Sequence, residues 1–110
     1  MTVAIIGAGP SGLALAKQLQ DRNIEFVIFE RDNGLGGVWN ISNEHSVMYE
    51  SAHTISSKTM TQFSEFPMPE DYSDYVSHKY MLQYLHSFAE QYQLKKYIQF
   101  GAPVKKIKKL

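Results

Sequence analysis

Three glycines and one carboxylate are the residues of this sequence best placed to do chemistry. Gly7, Gly9 and Gly12 stand as Gly-x-Gly-x-x-Gly directly after a short apolar run, Val3 to Ile6, and Glu30 closes a second apolar run, Phe26 to Phe29. Each glycine answers a separate need. Gly7 lets the chain turn sharply off a strand, Gly9 lets bare backbone approach a pyrophosphate, and Gly12 lets the helix that follows pack tightly on the strand. That helix opens about where the glycines end, so its unpaired N–H groups and positive dipole end face the phosphates. Pro10 and Ser11 lie inside the turn and join the same candidate cofactor-binding set. Glu30 is placed to accept hydrogen bonds from a ribose 2′-hydroxyl. A bare strand-to-helix turn needs one glycine and has no use for an acid about 20 residues further on, so the set reads as a dinucleotide site. An acid at that point repels a 2′-phosphate, so FAD or NAD suits the site better than NADP. Arg31, beside it, reads as a solvated or adenine-flanking side chain.

The elements that must hold these residues follow from the apolar spacing. Val3 to Ile6 is too short for a helix and reads as a buried strand. Residues 11–22 read as a helix, with Leu13, Ala16 and Leu19 toward a sheet and Asn23 as a left-handed C-cap. Ile24 to Glu30 returns as a second strand, parallel to the first by the right-handed crossover rule. Both strands are continuously apolar, which predicts a sheet covered on both faces. Ser77 can cap a helix running to about Tyr92, with Met81, Leu82, Leu85, Phe88, Ala89 and Tyr92 as its apolar stripe. Tyr97 to Phe100 then reads as a third parallel strand beside the second. Pro103 to Leu110 reads as a strand with a solvated lysine face, an account preferred over an anionic partner for Lys105, Lys106, Lys108 and Lys109. The class predicted is α/β, Rossmann-like, with a parallel sheet. Residues 41–76, rich in aromatics and prolines, contain no convincing helix or long strand; a stretch of that kind is functional or packed on its own side chains.

Composition narrows the partners. Eleven basic and eleven acidic residues cancel, which argues against nucleic acid or an anionic membrane as the main partner. Cysteine is absent, excluding disulfides, thiolate metal sites and cysteine nucleophiles within these residues. No apolar run approaches a membrane span, and the opening lacks the pattern of a secretory signal, so a cytoplasmic setting is the default. His45, His53, His78 and His86 have no spacing or acidic partner that would make a metal site. The expectation is no metal, and His53 as an ordinary hydrogen-bonded residue.

Gly36-Gly37-Val38-Trp39 is a second unusual run. Taken alone it fits another backbone contact to the same pyrophosphate and a flexible loop equally well. Together with Gly7-x-Gly9-x-x-Gly12, Glu30, and Phe63-Ser64-Glu65-Phe66-Pro67-Met68-Pro69, it resembles the flavin-containing monooxygenase family. The resemblance extends from Val3 to at least Val104, and Tyr84-Leu85 suits it too. It implies two dinucleotide-binding domains, one for FAD and one for NADPH, with residues 1–110 as the amino-terminal part of the FAD domain and the NADPH site outside this chain. Gly7, Gly9 and Gly12 would hold the pyrophosphate, Glu30 the adenosine ribose, and Gly37, Val38 and Trp39 would lie near the inner half of the flavin. Residues 41–76 would cover the flavin.

The implied function is NADPH-dependent oxygenation of a soft nitrogen, sulfur or carbonyl centre in a small-molecule substrate. These 110 residues alone are expected to be inactive. No catalytic residue is assigned within the chain. One departure stands out: Thr54-Ile55-Ser56-Ser57-Lys58 places isoleucine where the family carries an asparagine near the flavin. Ile55 keeps open another two-domain flavoprotein oxidase or dehydrogenase, and a non-catalytic nucleotide-binding module is the third reading. Val38-Trp39-Asn40 after the paired glycines disfavours the disulfide-reductase branch, which places its redox cysteines there.

Overall fold

A computed structural model describes residues 1–110. Strand β1 (Val3–Ile6) runs into Gly7, whose φ of 101° lies where side chains are strained and glycine is not. Helix α1 (Pro10–Asp21) follows, with Gly9 at its N-cap. Proline at the first helical position sacrifices nothing, because that N–H has no intrahelical partner in any case. The helix stops as foreseen: Asn23 is left-handed at φ 55°, and its N–H donates to Gln20 O at 3.1 Å while that of Ile24 donates to Leu19 O at 3.0 Å. Strand β2 (Phe26–Phe29) pairs parallel with β1, Val3 opposite Phe26 through Ile6 opposite Phe29. Strand β3 (Ile98–Gln99) lies parallel on the other side of β2, Ile28 opposite Ile98. It is shorter than the Tyr97–Phe100 expected, because Lys95–Tyr97 form a 3₁₀ turn.

The sheet is covered on one face, not two. Ile5, Phe26, Ile28 and Ile98 join Leu13 and Ala16 of α1 in a single core. Helix α3 (His78–Gln91) packs into that same core through Met81, Tyr84, Leu85, Phe88 and Ala89. On the opposite face Ala4 is exposed, Ile6 is 58% exposed, and Val27 and Phe29 are half-buried. Continuous apolar character shows that a strand tolerates burial on both sides, but the side on which each helix lands is decided by the connections.

Residues 41–76, between β2 and α3, contain one helical turn, α2 (Lys58–Thr61), and are otherwise irregular, as expected. Side chains bonded to backbone hold it in place of a ladder. Lys58 Nζ donates to Glu70 O and Tyr72 O at 2.6 and 2.7 Å, and Gln62 Oε1 accepts from Met68 N–H at 3.0 Å. Thr54 Oγ1 accepts from Val76 N–H at 3.0 Å. Phe63 and Phe66 pack against Tyr84 and Phe88 of α3. The Tyr84 hydroxyl accepts from Phe63 N–H at 2.8 Å and donates to Phe66 O, and burial pushes its pKa above the ordinary phenol value. Tyr84→Phe should therefore cost about 1–3 kcal/mol, because it strands a backbone donor at a half-buried site. A lower denaturation midpoint, with secondary structure retained, is the measurement that checks it.

Two sequence expectations about the second half are corrected. Ser77 does occupy the N-cap of α3, but its side chain makes no capping hydrogen bond. Pro103 to Leu110 forms no strand, and Val104, Ile107 and Leu110 are exposed. Apolar residues three apart fall on alternate faces of an extended chain, so neither face would be worth burying. No helix is long and apolar enough to cross a membrane.

Candidate functional site

The two glycine runs meet. Gly36 N–H donates to Ala8 O at 2.9 Å, stitching the second loop onto the first turn. A Cβ built on Gly37 would lie 3.2 Å from Gly9 Cα, and one on Gly36 would lie 2.5 Å from Leu82 Cδ1 of α3. The second loop is thus wedged between the first turn and α3. Asn40 and Asn43 set its shape from behind. Asn40 Nδ2 donates to Leu35 O at 3.0 Å and its Oδ1 accepts from Ser42 N–H at 3.0 Å, while Asn43 Nδ2 donates to Gly34 O at 3.1 Å. At the rim so formed, the N–H groups of Ser11 and Gly12 open α1, and those of Gly37 and Val38 open a 3₁₀ turn (Gly37–Trp39). None of these four donates to an acceptor within the chain. Free amides at two adjoining helical starts favour an anion.

Glu30 points into this arrangement. It is buried, with Oε1 accepting from Ala8 N–H at 2.9 Å and Oε2 from Asp32 N–H at 2.8 Å. The carboxylate at the end of β2 is thereby fixed against the turn that leaves β1. Its own backbone O accepts from Ala102 N–H at 2.9 Å, and Asp32 O accepts from Gly101 N–H at 3.1 Å, so the chain beyond β3 closes the same corner. Asp32 is buried as well. Its Oδ1 lies 2.7 Å from His45 Nδ1, and the hydrogen bond from that histidine holds the Asp32 carboxyl below the usual carboxylate range despite its burial. At the C-terminal ends of β1 and β2 a cleft of about 480 Å³ opens among Gly7, Phe29, Arg31, His45 and Val104. Ligands of open parallel sheets bind at this end of the strands. A second cleft, of about 310 Å³, lies between α1 and Phe63–Glu65, away from the glycines. Its charged groups, Lys17 and Glu65, are bonded to each other at 3.2 Å.

Gly7, Gly9, Pro10, Ser11, Gly12, Glu30, Gly37 and Val38 therefore surround one rim, and exposed Arg31 lines the cleft beside it. Trp39, in the same 3₁₀ turn, is half-buried and packs against the core. Asp32, Asn40, Asn43 and His45 were not singled out from the sequence. Two asparagines three apart, a few residues after paired glycines, are the signal that could have found Asn40 and Asn43, since such amides bond nearby backbone. His53 is exposed, with Nδ1 donating to Ser51 O at 2.8 Å, the ordinary role foreseen for it. Ile55 is 100% exposed, while Ser56 and Ser57 bond the hydroxyls of Thr61 and Thr59. No group of three histidines or acids is placed to hold a metal ion.

Comparison with known proteins follows the same lines. A family model described as flavin-binding monooxygenase-like matches residues 1–110. Flavin-containing monooxygenase 2 of Homo sapiens is 41% identical over 111 residues, covering 97% of this chain and 21% of that protein. The structure of S-allyl-L-cysteine S-oxygenase from Allium sativum superposes with a TM-score of 0.80 at 27% identity, over 91% of this chain and 27% of that one. An oxidized steroid monooxygenase bound to NADP superposes with a TM-score of 0.79 at 25% identity, over 91% of this chain and 19% of that one. The chain spans about a fifth of the length of the curated relatives it matches.

Proposed function

The chain belongs to the flavin-binding monooxygenase-like family, and from that premise we propose that it is the FAD-binding opening of an NADPH-dependent flavoprotein monooxygenase acting on a small molecule with a soft nitrogen, sulfur or carbonyl centre. The observation that carries the cofactor assignment is the Glu30 carboxylate, held by the N–H groups of Ala8 and Asp32 beside the glycine turn. Each carboxylate oxygen keeps acceptor capacity after one such bond, enough for the hydroxyls of a ribose. The free amides of Ser11, Gly12, Gly37 and Val38 supply donors for a diphosphate next to it. The residues present fit FAD: bare backbone for the phosphates, an acid for an unphosphorylated ribose, and a cleft at the strand ends. When bound, the flavin supplies the redox chemistry, and the protein supplies position and exclusion of water. The wider activity is supported by the names of the relatives, an S-oxygenase and a steroid monooxygenase bound to NADP.

Glu30→Ala in the full-length protein should weaken FAD by about 1.5–3 kcal/mol, the range for a hydrogen bond to a charged group. Flavin fluorescence titration measures this, with the unfolding midpoint of the cofactor-free protein recorded beside it, because Ala8 and Asp32 also lose a partner. Affinity equal to that of the unsubstituted protein would reject the assignment of Glu30 to the ribose. A second reading, a flavoprotein oxidase or dehydrogenase, is favoured by Ile55, whose exposed side chain can neither donate nor accept a hydrogen bond where the family has an asparagine. Oxygenated product formed in step with NADPH consumption supports the monooxygenase; hydrogen peroxide in its place supports the alternative.

A further inference from the structure

Of the four asparagines, Asn33 alone is followed by glycine; Ile24 and Ile41 follow Asn23 and Asn40, and Glu44 follows Asn43. Asparagine is a labile side chain, and it reacts where the next backbone nitrogen can reach its carboxamide carbon. A Cβ on the following residue crowds that approach, and glycine has none. The structure separates the four further. Asn40 and Asn43 are buried, with their amides donating to Leu35 O and Gly34 O, and the N–H after Asn23 is engaged, donating to Leu19 O at 3.0 Å. Asn33 is exposed, and the Gly34 N–H beside it donates to no backbone acceptor in the chain. The fold also holds glycine in place at 34. A Cβ there would lie 2.6 Å from Asn40 Nδ2 and 3.2 Å from Asn43 Oδ1, and both amides are fixed by the bonds just named.

We propose that Asn33–Gly34 is a site of spontaneous deamidation, and that the isoaspartyl product releases the second glycine loop from the first turn. Gly34 N loses its proton to water and attacks Asn33 Cγ. The Cγ–Nδ2 bond breaks, the nitrogen leaves as ammonia after taking up a proton, and a succinimide ring is closed. Water then opens the ring. Attack at Cγ restores the ordinary backbone with aspartate at position 33. Attack at the main-chain carbonyl carbon leaves Gly34 N bonded to Cγ, which is the isoaspartyl link. Either way, amide and water have become carboxylic acid and ammonia, with no change of oxidation state and water as the only co-reactant. The isoaspartyl link lengthens the backbone by a methylene directly before Gly34. Gly34 O accepts from Asn43 Nδ2 at 3.1 Å, and shortly after it Gly36 N–H donates to Ala8 O at 2.9 Å. Both bonds depend on where this short stretch places its atoms, so the longer link displaces them and the rim opens. The consequence for flavin rests on the FAD reading of that rim; the deamidation does not.

The test incubates the full-length protein at mildly alkaline pH and compares it with a fresh sample. Peptide mass spectrometry reads the replacement of NH₂ by OH at each asparagine, and chromatography separates aspartyl from isoaspartyl peptides. Asn33 should lose its amide before Asn23, Asn40 or Asn43 loses any, and the aged protein should lose bound flavin in proportion to its isoaspartyl fraction. Asn33→Gln keeps a carboxamide but would have to close a larger ring, which forms slowly. That variant should start with the parent's flavin content and unfolding midpoint and keep both through the same incubation. Conversion at Asn33 no faster than at the other three asparagines would overturn the proposal. Aged parent rich in isoaspartate that retains flavin as well as Asn33→Gln does would overturn the release of the loop. Fresh parent that binds no flavin would sink the FAD reading instead, and the order in which the asparagines convert would still decide the modification.

Discussion

Gly12→Ala is expected to unfold or severely loosen the protein before any ligand is added. A Cβ at Gly12 would lie 2.0 Å from Gly7 O, 3.0 Å from Gly7 C and 3.4 Å from Ile5 Cγ2. The first two are backbone atoms of the turn, which cannot swing aside as the end of a long side chain can. To make room, α1 must back away from β1, and Leu13 and Ala16 would then be drawn out of their contacts with Ile5 and Ile28 in the core. Overpacking a well-packed site costs about 1–3 kcal/mol where side chains can yield, and more where they cannot. We expect about 3 kcal/mol or more, against a typical total stability of about 5–15 kcal/mol. Chemical denaturation of the cofactor-free protein, followed by circular dichroism, checks this. A midpoint equal to the parent's would mean that the close approach of α1 to the Gly7 turn does not hold the fold together.

The glycine spacing and Glu30 were legible because each acts through its own covalent geometry: an absent Cβ, or a carboxylate at the end of a strand. Helix α1 and its Asn23 stop were legible for the same local reason. What was hidden depends on partners far along the chain. Nothing in the local sequence marks Lys17, which is buried between Asp21 and Glu65 with its ammonium over the Tyr92 ring. Nothing local marks His78 either, whose Nε2 donates to Glu50 O at 3.1 Å from a buried position. Nor does Asp32, ordinary in a turn, reveal that His45 will come to it. These pairings are made by the irregular path from residue 41 to residue 76, where neither a period of two nor one of 3.6 says which way a side chain points. Helix α3 lies in the same core as α1, on one side of the sheet.

Gly9→Val is expected to do the reverse of Gly12→Ala, leaving the fold and removing the flavin. A Cβ at Gly9 would meet nothing nearer than Gly37 Cα, at 3.7 Å, an ordinary contact. The backbone there, with φ −83° and ψ −171°, is extended and open to any residue. Nothing within the protein therefore excludes a Cβ at this position. In the proposed FAD site the requirement comes from the ligand: the two branches of valine would stand where the turn and the Gly36-Gly37 loop converge, in the space a diphosphate needs. A clash of that kind is worth about 3 kcal/mol, roughly a hundredfold in affinity. The purified full-length variant should be colourless, with a flavin-to-protein absorbance ratio near zero and a circular dichroism spectrum like that of the parent. Gly9→Ala, adding one methyl, should fall between the two. Should the valine variant be as yellow as the parent, the diphosphate does not lie against Gly9, and the rim formed by the two glycine runs serves something else.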